Sequence, residues 1–157
     1  MVPILIDCEA SSLSAESYPI EVGFVMEDQV AHNYLIRPEK YWTDWSEESS
    51  KIHNIPREKL YTDGVSVFEV ADKLNEILCG KICYSDSLYH ETFWINRLFH
   101  AAGTERKFQI LDLFSLINDP QQMRKFVQRK NALFIGKERH RASVDAWVLQ
   151  QAYLESK

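Results

Sequence analysis

The chain has 157 residues, of which 45% are hydrophobic and 26% charged, and a formal net charge of −5. A chain of this length can bury a core that needs neither disulfides nor a structural metal, so we expect residues 1–157 to form one domain. The acidic balance excludes a protein that holds nucleic acid by bulk positive charge, but not an enzyme that reaches phosphates through bound divalent cations.

The N-terminal part predicts a central strand followed by a hairpin. Residues 2–7 (VPILID) form a short apolar run rich in β-branched residues, which is typical of a buried strand. Residues 20–28 alternate apolar and polar residues, residues 30–37 do so less regularly, and only a short polar break separates them. This pattern predicts an antiparallel pair that ends at Pro38. Two short helical turns are predicted in the polar and aromatic segment that follows, at 46–53 and 57–60.

The remainder of the chain alternates helices and strands. Ser66 with Glu69 makes a capping box, which marks the start of a helix. Gly80 is a typical residue after a helix end, so a helix is predicted between Ser66 and Gly80. Residues 81–86 (KICYSD) predict the next strand. The later elements are a helix at 89–102, a strand at 107–112 and helices near 120–131 and 143–155. The order β-β-β-α-β-α-β-α-α predicts an α/β domain with a mixed five-stranded sheet flanked by helices, as in ribonuclease H-like folds.

The sequence also predicts a cytoplasmic protein without membrane contact. No apolar run approaches the roughly 20 residues of a membrane span. Asp7 interrupts the N-terminal apolar stretch before it reaches the length of a signal peptide. Cys8, Cys79 and Cys83 have no spacing typical of a zinc site, and buried free thiols suit a reducing compartment.

Two carboxylates, Asp7 and Glu9, stand at the end of the first predicted strand. Because side chains alternate along a strand, both point the same way while Cys8 points into the opposite layer. Two adjacent like charges repel, and a shared hard cation such as Mg²⁺ relieves that repulsion. For this pair alone, a strand that simply ends in solvated acids is the competing interpretation.

A second group, His140 and Asp145, lies in the segment HRASVDA. Five residues on one helix would separate these side chains by about 140°. They converge only if His140 lies in the loop before the helix and Asp145 lies one turn inside it. There the helix dipole disfavours the charged imidazole and nearby carboxylates favour it, so a pKa near neutrality would suit a general base. The alternative is a surface histidine and an acid paired with Arg141.

A third group of acids occurs in YSDSLYHETFW (84–94), where a strand ends and a helix begins. The carboxyl ends of strands are where α/β sheets commonly place their sites. Taken singly, Asp86 could cap the helix, and Glu91 could be a first-turn acid favoured by the dipole. Those interpretations leave unexplained why acids recur at strand ends in three separate segments, and this recurrence favours one shared site.

Together and in this order, these segments resemble the motifs of the DEDDh (Asp-Glu-Asp-Asp-His) exonuclease superfamily. That group includes the proofreading subunit of bacterial replicative DNA polymerase, ribonuclease T and oligoribonuclease. IDCEASSL is similar to the first motif, SYPIEVGFV to the following strand, and HRASVDA to the third motif, H-x-A-x-x-D-A. KIHNIPREKL is similar to a segment with a His-Gly-Ile-like turn, with Asn54 in place of the glycine. YSDSLYHETFWINRLF resembles the second motif, with Glu91 where the superfamily usually presents aspartate.

The resemblance implies a 3′→5′ exonuclease that uses two Mg²⁺ or Mn²⁺ ions. Such an enzyme hydrolyses phosphodiester bonds at the 3′ end of single-stranded DNA or RNA and releases nucleoside 5′-monophosphates. Its catalytic residues would be Asp7, Glu9, Glu91, His140 and Asp145. The four acids among them would be the metal ligands, with Asp7 bridging both ions, and His140 would deprotonate the attacking water. Asp86 stays open as the alternative third acid, and the resemblance is compatible with a homodimer.

The resemblance also implies a place for the substrate. Backbone groups after Glu9 would hold the terminal nucleotide, at Ala10, Ser11, Ser12 and Leu13. Aromatic candidates for base stacking, with core packing as the alternative, are Trp42, Trp45 and Phe93. Candidates for phosphate contacts, with solvated surface positions as the alternative, are Arg139 and Arg141.

Two other functions compete with this interpretation. A nuclease-fold module that binds nucleic acid or protein without turnover would explain Glu91 and the net acidity, although four retained site residues argue against it. A metal phosphodiesterase for small nucleotides is the other. The short segment 39–63 favours an open site suited to a polymer end. Both DNA and RNA stay open as substrates, because only the 2′-hydroxyl differs.

Overall fold

Five strands and six α-helices make up the fold in a computed structural model that describes residues 1–157. The strands are β1 (Ile4–Ala10), β2 (Pro19–Val25), β3 (Ala31–Leu35), β4 (Ile82–Ser85) and β5 (Gln109–Asp112). The helices are α1 (Glu47–His53), α2 (Arg57–Thr62), α3 (Val67–Leu78), α4 (Leu88–Ala102), α5 (Pro120–Leu133) and α6 (Ala142–Ser156). A short 3₁₀ turn (Leu113–Leu116) follows β5. None of the helices combines the length and the apolar character needed to cross a membrane.

The strands form one sheet in the order β3-β2-β1-β4-β5. β2 pairs antiparallel with both β1 and β3, whereas β4 pairs parallel with β1 and β5. The predicted hairpin and the mixed five-stranded α/β sheet flanked by helices are therefore confirmed. The central position of β1 explains the apolar sequence of its first half, which is buried between neighbouring strands on both sides and helices on both faces.

Two hydrophobic layers cover the sheet. Ile4, Ile6 and Cys8 belong to the layer shared with α3 and α4, and Leu5 belongs to the layer shared with α5 and α6. All seven residues of β2 are buried. The alternation in its sequence therefore does not mark an exposed face, since helices cover both sides of this strand.

Gly23 in β2 lets the amino end of α6 approach the sheet closely. A Cβ atom at this position would lie 2.2 Å from the backbone nitrogen of Ser143 and 2.4 Å from the carbonyl carbon of Ala142. No side chain fits in that space. The consequence is that the loop before α6 is placed beside the carboxyl end of β1.

β1 is longer than predicted at its carboxyl end. Its pairing with β4 stops at Leu5, opposite Tyr84, but its pairing with β2 continues to Ala10, with a register irregularity after Glu9. The predicted end of the strand at residue 7 is wrong, because β2 holds the chain extended to Ala10. Asp7 and Glu9 lie in the carboxyl-terminal half of β1, as expected. Beyond Leu5, the side of β1 that faces β4 has no strand partner.

Candidate active site

Asp7 lies on this unpaired part of β1 and is half-buried. Its Oδ2 atom is buried and has no hydrogen-bond partner. Burial raises the pKa of Asp7 well above its usual range, and the neighbouring carboxylates of Glu91, Glu9 and Asp145 raise it further. An ionised carboxylate in this position is costly unless a cation accompanies it.

Glu91 reaches the same place from α4. Because α4 begins at Leu88, Glu91 lies in its first turn on the inward side and is only 2% exposed. Its Oε2 atom is also buried without a partner. Burial raises the pKa of Glu91 well above its usual range, and Asp86 and Glu9 add to the rise, while the thiol and amide of Cys8 oppose it as hydrogen-bond donors.

Asp86, the competing third acid, lies at the rim of the cluster. Its Oδ2 atom is 3.7 Å from the Nζ atom of Lys130, and its side chain is 26% exposed. It does not cap α4, because Ser87 occupies the N-cap position. Among the four carboxylates that raise the pKa of Asp7, Glu91 has the largest effect and Asp86 the smallest. Glu91 therefore interacts more strongly with Asp7 than Asp86 does. Asp86 is instead paired with Lys130.

Glu9, His140 and Asp145 form the outer part of the site. One ligand atom from each lies within 4.8 Å of the other two. Burial, with Asp145 and Glu21 adding to it, raises the pKa of Glu9 to about 8. Burial also raises the pKa of Asp145 to about 6, although the His140 amide and Arg139 act against it.

His140 and Asp145 converge in the way that their spacing requires. His140 lies in the loop before α6, Arg141 is the N-cap residue, and Asp145 is in the first turn. The backbone of His140 is left-handed (φ 60°), and its amide donates a hydrogen bond to Asp145 Oδ1 at 3.1 Å. Burial and then Arg139 lower the pKa of His140. The neutral imidazole, which is the form a general base needs, is therefore favoured.

Glu21 of β2 was not anticipated from the sequence, yet it holds the loop that carries His140. Its fully buried carboxylate accepts hydrogen bonds from Arg141 Nη2 at 2.7 Å and Nε at 3.2 Å. The amide of Ala142 (2.8 Å) and Asn33 Nδ2 (3.0 Å) donate to the same group. Arg141 therefore pairs with Glu21. The pair with Asp145, which the sequence offered as an alternative, does not form. The available signal was one charged residue inside the otherwise apolar strand PIEVGFV.

The segment after Glu9 is held by Asp44, which sequence analysis also missed. Hydroxyl groups of Ser11 and Ser12 each donate to Asp44 Oδ2 at 2.7 Å, and Ser14 donates to Oδ1 at 3.1 Å. The amides of Ser12 and Leu13 donate to no protein acceptor. The backbone of Ala10–Leu13 was predicted to hold the terminal nucleotide. Within this segment, the amides of Ser12 and Leu13 are free to donate to a ligand.

A small cavity of about 170 Å³ opens beside these amides. The cavity is lined by residues of β1, the segment after β1, α1, α4 and the loop before α6. They include Glu9, Leu13, Ile52, His53, Trp94 and His140. It therefore adjoins the acid cluster at Glu9 and His140.

The candidate aromatic and basic side chains differ in accessibility. Trp42 is 2% exposed and stacks on Tyr18 at 5.2 Å between ring centroids, so it belongs to the core. Trp45 contacts the His53 ring edge-on. Phe93 is half-buried in a separate groove on α4. Arg139 is exposed and lies over the ring of Phe134.

The donor set suits a hard divalent cation. Carboxylate oxygens are the preferred ligands of Mg²⁺ and Mn²⁺, and Asp7 and Glu91 each have a buried oxygen without a partner. Mutual repulsion among the acids, visible in the raised pKa values of Asp7, Glu9 and Asp145, is what a cation would relieve. These residues fit a metal centre.

Neither a protein-family model nor a curated protein matches this chain in sequence. Its structure is similar to that of Escherichia coli exonuclease I in complex with a dT13 oligonucleotide, with a TM-score of 0.72 and 10% identity over 96% of this chain and 40% of that chain. A moderately thermophilic exonuclease I from Methylocaldum szegediense gives a TM-score of 0.71 and 10% identity over 94% and 38%. A zinc-bound E. coli exonuclease I–single-stranded DNA complex gives 0.72 and 10% over 96% and 39%.

These likenesses establish the ribonuclease H-like fold. They confirm, for the fold, the resemblance to the DEDDh exonucleases. The chain spans about 40% of the length of the solved proteins it matches.

Proposed function

We propose that this protein is a two-metal 3′→5′ exonuclease that removes nucleoside 5′-monophosphates from the 3′ ends of single-stranded nucleic acid. The observation that carries the proposal is the meeting of Asp7, Glu9, Glu91 and Asp145 at one edge of the sheet, with two buried carboxylate oxygens left without partners. The proposed ligands are these four acids, with Glu91 in preference to Asp86. Three free cysteines suit a cytoplasmic enzyme.

The proposed mechanism divides the work among the side chains. When bound, Mg²⁺ or Mn²⁺ would lower the pKa of the attacking water and offset charge on the attacking and leaving oxygens. His140 accepts the proton of that water, because burial keeps its imidazole neutral. Asp145 holds the backbone of His140 in place. The free amides of Ser12 and Leu13 donate to the terminal nucleotide.

The charge around the site supports a polymeric substrate in preference to a small nucleotide. Seven of the 18 Lys and Arg residues lie between positions 124 and 141, with Glu138 as the single acid there. Arg139 lies close enough to lower the pKa values of both His140 and Asp145. A locally basic segment in an otherwise acidic chain gives the phosphates of an approaching strand a favourable path.

The test is degradation of 5′-labelled single-stranded DNA and RNA oligomers with Mg²⁺ or Mn²⁺. We expect shortening from the 3′ end, nucleoside 5′-monophosphates as products, and no products with a chelator or with Asp7→Asn. Comparison of the two oligomers assigns the preference for DNA or RNA. Binding without degradation by the metal-loaded protein would instead support a nuclease-fold binding module. Sedimentation of the same preparation distinguishes a homodimer from a monomer.

A further inference from the structure

His53 is a buried imidazole at the wall of the cavity. It is the last residue of α1 and is 2% exposed. The same cavity is lined by Glu9 and His140. The edge-on ring of Trp45, with centroids 5.8 Å apart, packs against the imidazole. The side chain is therefore held in one orientation next to the proposed reaction centre.

The backbone determines which nitrogen of His53 carries the proton. Asn54 has a left-handed conformation (φ 55°), and the chain turns so that the amide of Ile55 donates a hydrogen bond to His53 Nδ1 at 3.0 Å. An imidazole nitrogen that accepts a hydrogen bond is unprotonated, so the proton of the neutral ring is on Nε2. Burial lowers the pKa of His53 to about 4, which keeps the ring neutral.

The Nε2–H group has no acceptor in the protein. The Nε2 atom is buried and makes no hydrogen bond. A buried donor without a partner is destabilising by an amount comparable to a lost hydrogen bond. Since His53 lines the cavity that adjoins the free amides of Ser12 and Leu13, a ligand in this cavity is the candidate acceptor for Nε2–H.

We infer that His53 is a binding residue that donates a neutral hydrogen bond from Nε2 to an oxygen of the terminal nucleotide. The identity of the ligand rests on the proposed function. The direction of the hydrogen bond rests on the contact between the Ile55 amide and His53 Nδ1. His53 is distinct from His140: the first is a donor with a fixed tautomer, and the second accepts a proton. Its contribution is to binding the 3′ end and not to proton transfer.

Two substitutions separate this role from a structural one. His53→Asn keeps an acceptor for the Ile55 amide but is too short to replace Nε2. His53→Gln keeps a donor that reaches into the cavity but loses the acceptor for Ile55. We expect His53→Asn to raise KM about three- to tenfold, the size of one hydrogen bond, with kcat nearly unchanged. His53→Gln should retain the lower KM although it melts at a lower temperature.

The opposite ranking would overturn the inference. If the role is structural only, His53→Gln is the more damaged variant in both KM and melting temperature, and His53→Asn binds substrate like the wild type. A 2′,3′-dideoxy 3′ end identifies the acceptor. Loss of the His53→Asn effect with this substrate assigns the bond to a sugar hydroxyl, and its persistence assigns it to the base or phosphate.

A readout without catalysis keeps this inference separate from the proposed function. In ¹⁵N-labelled wild-type protein, the His53 ring should show the Nε2–H tautomer, and adenosine or thymidine 5′-monophosphate should shift its Nε2 resonance. A shift without oligomer degradation would support the subsite and count against the exonuclease. Two results would refute the subsite alone if the protein still degrades oligomers. One is a His53 ring that is protonated on Nδ1, and the other is an Nε2 resonance that neither monophosphate shifts.

Discussion

Two glutamates face each other across neighbouring strands and illustrate opposite uses of a buried carboxylate. Glu9 of β1 is in register with Glu21 of β2. Glu21 accepts hydrogen bonds from Arg141, Asn33 and the Ala142 amide, and these donors lower its pKa although burial alone would raise it. Glu9 has no such set of donors, and burial with neighbouring acids raises its pKa to about 8.

The difference teaches that partners, more than depth, decide what a buried acid does. Glu21 is satisfied by the protein and anchors the amino end of α6. Asp7 and Glu91 each keep a buried oxygen without a partner, and these two acids, with Glu9 beside them, are left for a ligand that the protein does not itself supply. The satisfied acid therefore positions the loop of His140, and the unsatisfied acids form the proposed metal centre.

The largest expected effect is the loss of turnover in Glu91→Gln. This substitution removes a proposed metal ligand while keeping nearly the same shape, so the protein should fold and be inactive in the oligomer assay. Asp86→Asn is the matched control, because it removes only a partly exposed pair with Lys130 and should cost at most about 1 kcal/mol. An active Glu91→Gln together with an inactive Asp86→Asn would reverse the assignment.

The next effect is expected for His140→Ala. Loss of a general base lowers the rate by roughly 10²- to 10⁴-fold. Stability should change little, because the residue lies in a loop before α6. Turnover at neutral pH and the melting temperature are measured on the same preparation. Near wild-type turnover would exclude His140 as the base and the DEDDh mechanism with it.

A smaller effect, on stability, tests the satisfied acid. Arg141→Met leaves Glu21 fully buried without its main partner, and loss of one member of a buried pair typically costs about 3–5 kcal/mol. We expect the lower end, since Asn33 and the Ala142 amide still donate. Urea unfolding measures it. Arg139→Met is the control: this exposed residue should change the free energy of unfolding by no more than about 0.5 kcal/mol. Equal effects would mean that Glu21 does not depend on Arg141.

The smallest expected effect is the pH dependence of the metal-free protein. Because the pKa of Glu9 is raised to about 8, the folded state holds a proton that the unfolded state releases above about pH 4.5. Stability should therefore fall as pH rises. Between pH 6.5 and 8 the melting temperature should drop by a few degrees, and Mn²⁺ should abolish the drop. A metal-free protein that gains stability over this interval would contradict the repulsion described for the acid cluster.

The order of the elements, the mixed sheet and the convergence of the acids of the two end motifs were predictable, because each depends on local patterns. Element order and apolar runs indicate the fold, and strand alternation places Asp7 and Glu9 on one face. Choosing between Asp86 and Glu91 required the start of α4, which decides the residue that turns inward. Spacing favoured Glu91, and the helix start at Leu88 buries it.

The supporting contacts were not predictable from one sequence. Glu21 and Arg141 are 120 positions apart, and Ser11 and Asp44 are 33 apart. No local periodicity connects such residues. The carboxyl end of β1 was misjudged for the same reason, since pairing with β2 extends it. The unpartnered Nε2 of His53 depends on a single backbone turn after α1.

The gap beside β1 where pairing with β4 ends has an evolutionary consequence. Glu91 crosses this gap from α4, and its carboxylate lies near the amide and thiol of Cys8. An aspartate, the residue usual in the superfamily that the chain resembles, is shorter by one methylene, about 1.5 Å. The effect of exchanging glutamate for aspartate therefore depends on the residues that set the distance between α4 and β1, so substitutions at these positions are epistatic. We expect homologous chains with aspartate at this position to carry compensating changes where Trp94 and Ile95 pack, and Glu91→Asp alone to recover only part of the activity.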